Sequence, residues 1–176
     1  MIYFFTILSF LVAIMSNING VISCDENWTN ATDVGLGYLW FDTSETIDYA
    51  AAKRFCRKKN SSLVELETSR QFDFIKMKLK ILAEGIDWSY YCYTWRLKKW
   101  YAGATEVREG TWVWTQSEEI FTSENFIWGK DQPNDFCYTD QKYLCFSISR
   151  STGNIFGDDW TGDKDNKAYP LCQKKM

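Results

Sequence analysis

Six cysteines, Cys24, Cys56, Cys92, Cys137, Cys145 and Cys172, follow an apolar run from Ile2 to Met15, and no charged residue precedes Asp25. The run is too short to span a bilayer comfortably, and small residues come after it. Residues 1–23 therefore read as a signal peptide and 24–176 as one mature, secreted domain. In an oxidising extracellular space most cysteines pair, so the fold is expected to be stapled by disulfides. A chain of 176 residues is long enough for a single core of its own. The absence of histidine removes Ser-His-Asp and Cys-His catalysis and the commonest zinc ligand. A net charge of −3 argues against nucleic acid as a partner, because phosphate binding needs a positive field. No second apolar run is long enough to span a membrane, so the mature chain is expected to have no membrane span.

The pattern changes along the chain. Tyr38 to Phe41 reads as a strand. Asp42-Thr43-Ser44 offers cap chemistry for a helix running to about Lys59, with Tyr49, Ala52, Phe55 and Cys56 on its apolar stripe. The basic residues Lys53, Arg54, Arg57, Lys58 and Lys59 read as its solvated face. Leu63 to Leu66 is strand-like. Thr68 or Ser69 caps a second helix with Phe72, Ile75, Leu79 and Leu82 on one face, and Gly85 ends it. After Trp88, short aromatic and β-branched runs alternate with turn residues. Trp112 to Trp114 and Cys145 to Ile148 read as strands, and Gln116 to Leu144 has little regular pattern. Helices early and strands late give an α+β domain. Aromatic residues make up 18% of the chain, enough to fill a small core with rings.

Several motifs now line up with one family. Tyr49-x-x-Ala52-x-x-x-Cys56 resembles the first helix of the C-type-lectin-like domain. Tyr101-Ala102-Gly103-Ala104 resembles its Trp-Ile-Gly-Leu core strand. Glu109-Gly110-x-Trp112-x-Trp114, Trp128-Gly129-x-x-Gln132-Pro133-Asn134, Cys145 and Leu171-Cys172 follow in family order from about Trp28 to Cys172. The resemblance implies a C-type-lectin-like fold of two helices and small antiparallel sheets with a long ligand loop. It also implies a Cys56–Cys172 bridge. The family partner of Cys145 falls on Thr161, or on Gly162 in a shifted frame, and Cys24 has no partner near Tyr38. Cys24, Cys92, Cys137 and Cys145 then allow three pairings, and Cys145 is expected to pair with Cys137 or Cys92.

The resemblance further implies a calcium ion in the long loop that carries a sugar, with a cis proline between two oxygen ligands. Here these are Gln132 and Asn134 around Pro133. The family's ligand before the cysteine is Tyr143 here. Its Asn-Asp pair falls on Gly157-Asp158 if Phe156 is the core aromatic, or on Asp158-Asp159 one residue later; the Phe156 frame is preferred. The expected metal ligands are thus Gln132, Asn134, Asp158 and Asp159, and the expected sugar contacts Gln132, Asn134 and Asp158. Losing charged ligands shifts calcium affinity toward about 10⁻⁴–10⁻³ M. The implied function is a secreted carbohydrate-binding lectin, calcium-dependent through the Gln-Pro-Asn loop, with glycans or glycoproteins as partners and no enzymatic activity. The alternatives are a calcium-independent protein-binding module of the same fold and a structural matrix protein. Asp158, Asp159, Asp163 and Asp165 form an acidic run that reads as a solvated loop or, less economically, as a glycosidase carboxylate pair. Asn27, Asn30 and Asn60 stand in glycosylation sequons.

Overall fold

The computed structural model describes residues 27–84, 98–122, 124–134, 140–149 and 152–176. Strand β1 (Thr29–Ala31) leads through a short 3-10 turn into β2 (Gly37–Phe41). Helix α1 spans Tyr49–Lys58 and buries Tyr49, Ala52 and Cys56, the spacing that puts side chains on one face of a helix. Its cap is Asp48, whose side chain accepts from Ala51 N at 2.7 Å, and not the expected Asp42-Thr43-Ser44. Asp42 instead closes its own turn, accepting from Ser44 N and Ser44 Oγ. A bridge between Ile47 and Ala168 keeps the chain extended until Asp48. Strand β3 is only Ser62–Leu63.

Helix α2 (Ser69–Ala83) starts from Thr68 in a capping box with Gln71. Phe72, Ile75 and Leu79 are buried as expected, whereas Leu82 is exposed. Gly85 lies outside the described residues. The remaining strands are β4 (Lys99–Arg108), β5 (Thr111–Trp114), β6 (Ile120–Thr122), β7 (Tyr143–Ile148), β8 (Ile155–Trp160) and β9 (Tyr169–Lys174).

Strand β9 is the seam of the molecule. It pairs antiparallel with β2 and β3 and parallel with β4. From β4 the sheet continues through β5 to β6 on one side and through β7 to β8 on the other. Parity along the strands separates two cores. One, between α2 and the loop-bearing half, contains Ile75, Leu79, Trp100, Trp112, Ile127 and Phe146. The other, beneath α1, contains Tyr49, Ala52, Cys56, Tyr101, Cys145 and Cys172. The Cys56–Cys172 disulfide forms there with the Cα atoms 5.4 Å apart, joining α1 to the last strand. Gly103 lets the β3 turn press onto β4: a Cβ there would lie 2.9 Å from Leu63 O. Beside it the buried Glu65 carboxylate accepts from Gln116 N and Ser117 N, which anchors the turn after β5.

Candidate ligand-binding site

The long loop is held against the sheet by close backbone contact with β8. Gly157 N donates to Ile127 O at 2.7 Å and Gly129 N to Gly157 O at 3.0 Å. A Cβ on Gly157 would stand 2.6 Å from Ile127 O, so only glycine admits the loop here. Trp128 lies edge-on to Trp112 at 4.8 Å, and its indole donates to Thr122 O. The loop then turns through Asp131, at φ +62°, into a cis Gln132–Pro133 peptide.

Gln132 Oε1 is buried and has no hydrogen-bond partner among the described residues. Asn134 N donates to both carboxylate oxygens of Asp159, each at 3.1 Å. The Asp159 side chain is 1% exposed. Asn134 and Asp159 are thus in direct contact, with Gln132 two residues earlier on the same loop. The loop here is polar, and Asp159 brings it one carboxylate.

Asp158 does not join it. Successive residues of a strand face opposite sides, and the Asp158 carboxylate turns to the side of Trp160, where Lys99 Nζ and Ser147 Oγ both donate to Oδ2. The expected metal and sugar ligand Asp158 is thus not brought together with Gln132 and Asn134 in this structure. This placement also corrects the preferred Phe156 frame, since the residue that reaches the loop is Asp159, one position later. Tyr143 is committed elsewhere as well: its ring stacks on Tyr49 with centroids 4.0 Å apart. The acidic run disperses, because Asp163 accepts from Asp165 N, Asn166 N and Asn166 Nδ2 and so closes its own turn. Those N–H donors, Asp165 N foremost, hold the exposed Asp163 carboxyl below its ordinary range.

A calcium ion takes six to eight oxygens, several of them charged. Here one carboxylate, Asp159, is already engaged by a backbone N–H, a second is neutralised by an ammonium, and Tyr143 supplies no charge. No group of three or more Asp, Glu, His or Cys side chains converges among the described residues. Among the described residues, the donor set does not fit a tightly held calcium ion.

Cys145, expected to pair with Cys137 or Cys92, is a free thiol with no exposed surface. It sits on β7 between Tyr101 of β4 and Asp158 of β8, with no cysteine opposite it. Cys24, Cys92 and Cys137 lie outside the described residues. Burial pushes the Cys145 thiol well up, against a smaller opposing pull from Lys99. The thiolate is the reactive form, so Cys145 is expected to resist iodoacetamide in the folded protein. Peptide mapping should show its alkylation slower than in denaturant by on the order of 10⁴-fold or more, the factor set by a core that opens only with global unfolding. Comparable rates in the two states would show that β7 opens locally.

Sequence reasoning missed Lys99 and Ser147. The available signal was parity: Lys99 shares its strand face with Tyr101 and Gly103, an inward face on which a lysine needs a partner. The sequons are all accessible, with Asn27, Asn30 and Asn60 exposed. No helix among the described residues is long and apolar enough to cross a membrane.

Comparison with known proteins agrees with this architecture. A family model for the lectin C-type domain matches residues 45–172. Among solved structures, the C-type lectin domain of murine dendritic cell inhibitory receptor 2, in complex with an N-glycan, is similar with a TM-score of 0.63 and 14% identity, over 88% of this chain and 100% of that one. The carbohydrate-recognition domain of the mouse scavenger receptor C-type lectin is similar with a TM-score of 0.62 and 20% identity, over 88% and 99%. The Ca2+-free form of a Ca2+-dependent type II antifreeze protein is similar with a TM-score of 0.59 and 16% identity, over 86% and 100%. At these identities the likeness is one of fold. A search of curated proteins finds no match. With the helix-to-strand disulfide, the cis-proline loop and a family match spanning residues 45–172, the chain belongs to the C-type lectin domain family.

Proposed function

We propose that this chain is an extracellular glycan-binding module whose ligand site is the Gln132–Asn134 loop with Asp159. The observation that carries the reading is the buried, unpartnered Gln132 Oε1 beside an Asn134 backbone pinned by Asp159. A buried acceptor without a donor is an unfavourable state that a ligand hydroxyl relieves. The Asn134 carboxamide adds both a donor and an acceptor for a second hydroxyl. Relatives of the same fold were solved with an N-glycan and with GlcNAc. The net charge of −3 does not suit nucleic acid. Residues 1–23 act as the export signal, 24–176 as the mature domain, and Asn27, Asn30 and Asn60 as glycan acceptors on this reading. No catalytic step is assigned.

The purified protein is expected to be retained on mannose-, galactose- or GlcNAc-coupled resin, and to remain retained in EDTA. No retention on any of the three resins would replace the glycan reading with that of a protein-binding module. The second reading is calcium-dependent sugar binding through Gln132, Asn134 and Asp159, favoured because a cation also satisfies the orphaned Gln132 oxygen. Retention that EDTA abolishes and calcium restores would establish it in place of the first.

A further inference from the structure

Lys99 is 6% exposed, and a buried ammonium is tolerated only when paired and hydrogen-bonded. Its environment is complete. Strands β4, β7 and β8 lie side by side, with Lys99 opposite Ser147 and Cys145 opposite Asp158. Lys99 Nζ donates to Asp158 Oδ2, and Ser147 Oγ donates to the same oxygen at 2.8 Å. The ammonium also lies 3.8 Å from the centroid of the Trp160 ring, whose indole is held by Asn166 O at 3.0 Å. A carboxylate, a hydroxyl and an aromatic face therefore surround one positive charge at the root of the ligand loop.

The next residue after Asp158 is Asp159, the carboxylate that pins Asn134. The two acids are adjacent and buried on opposite faces of β8, and the Asp158 charge on its own face calls for a counter-cation. We infer that Lys99 is that cation: it permanently neutralises Asp158, so that this domain folds and organises its loop without a metal ion. The Lys99 ammonium thus supplies the positive charge on the face of β8 that is turned away from the loop, where Asp158 and Trp160 stand. Whether the loop binds a glycan is a separate matter, because the cation is read out on the unliganded protein.

The test uses thermal unfolding and calorimetric titration of the purified chain with CaCl2. The parent is expected to unfold at the same temperature in CaCl2 and in EDTA, within ~1 °C, because an ion that does not bind shifts nothing. Lys99→Met, which keeps the apolar stem and strands the Asp158 charge, is expected to lower the midpoint by roughly 10 °C. Adding Asp158→Leu to Lys99→Met removes both charges and should restore most of that loss, still without a response to calcium. If Lys99→Met does not fold, folding of the double variant is the expected rescue. A rise of several degrees for the parent in calcium, with heat of binding, overturns the inference. So does a Lys99→Met variant as stable as the parent, or a double variant that is no more stable than Lys99→Met alone.

Discussion

Replacing Cys56 and Cys172 together with alanine is expected to lower the free energy of unfolding by about 4–5 kcal/mol, the chain-entropy value for so long a loop. The two residues are 116 apart in sequence, so the bridge restricts most of the unfolded chain. A domain of this size is stable by about 5–15 kcal/mol in total, which places the variant near the edge of folding at 37 °C. The geometry adds to the effect. Both sulfurs are fully buried beneath α1, and Cys172 stands on β9 opposite both Trp40 of β2 and Leu63 of β3. Loosening it therefore loosens the seam that joins β2, β3 and β4. Urea denaturation of parent and double variant measures the difference. A loss below ~1 kcal/mol would show that the unfolded chain is already restricted by other means, a known departure from the entropy model. The double substitution is preferred to either single one because it leaves neither half of this bridge as a newly unpaired thiol.

Much of the frame was legible because local chemistry and tertiary demand agree in it. Thr68 and Gln71 form the cap that their spacing suggests, and Tyr49, Ala52 and Cys56 bury the face that their spacing draws. Where two residues offer the same chemistry, tertiary contacts choose. Asp42 and Asp48 are equal as caps in isolation, and the bridge from Ile47 to Ala168 selects the later one. Leu82 fits the periodicity of α2 yet sits on its open side near the end of the helix, where the pattern carries no information about what lies opposite. Strand β6 escaped notice because it has three residues and Ile120 points outward, so no alternation is visible.

The site divides in the same way. Gln132, Pro133 and Asn134 announce themselves by their motif. The facing of Asp158 and Asp159 does not, because shifting a strand by one residue exchanges its two faces and the sequence near Phe156 accommodates both frames. The decision is made by Gly157, whose missing side chain lets Ile127 O approach and fixes which face of β8 meets the loop. Lys99 meets Asp158 on the other face of the strand.

Asp159 is then the residue on which the loop's shape depends. Asp159→Ala is expected to speed hydrogen exchange at the Asn134 amide by about 10–100-fold, the loss of a hydrogen bond to a charged acceptor being worth about 1.5–3 kcal/mol. The amide donates to both oxygens at 3.1 Å, so no other geometry of the same carboxylate replaces the pair. Asp159→Asn keeps one carbonyl oxygen and removes the charge, and it should fall between the parent and the alanine variant. Exchange at Val64, whose amide bonds Leu171 O at 3.0 Å across the seam, serves as the internal reference and should change far less. Retention on glycan resin is expected to weaken in the same order as the Asn134 protection, because a site of a few hydrogen bonds depends on how well its groups are held before the ligand arrives. NMR exchange rates on the three proteins decide the structural half of this. Equal rates at Asn134 in parent and Asp159→Ala would mean that the loop holds its own shape and that Asp159 is not what pins it. If the rates differ as expected while glycan retention stays constant, the loop is organised by Asp159 but the ligand is bound elsewhere on the domain.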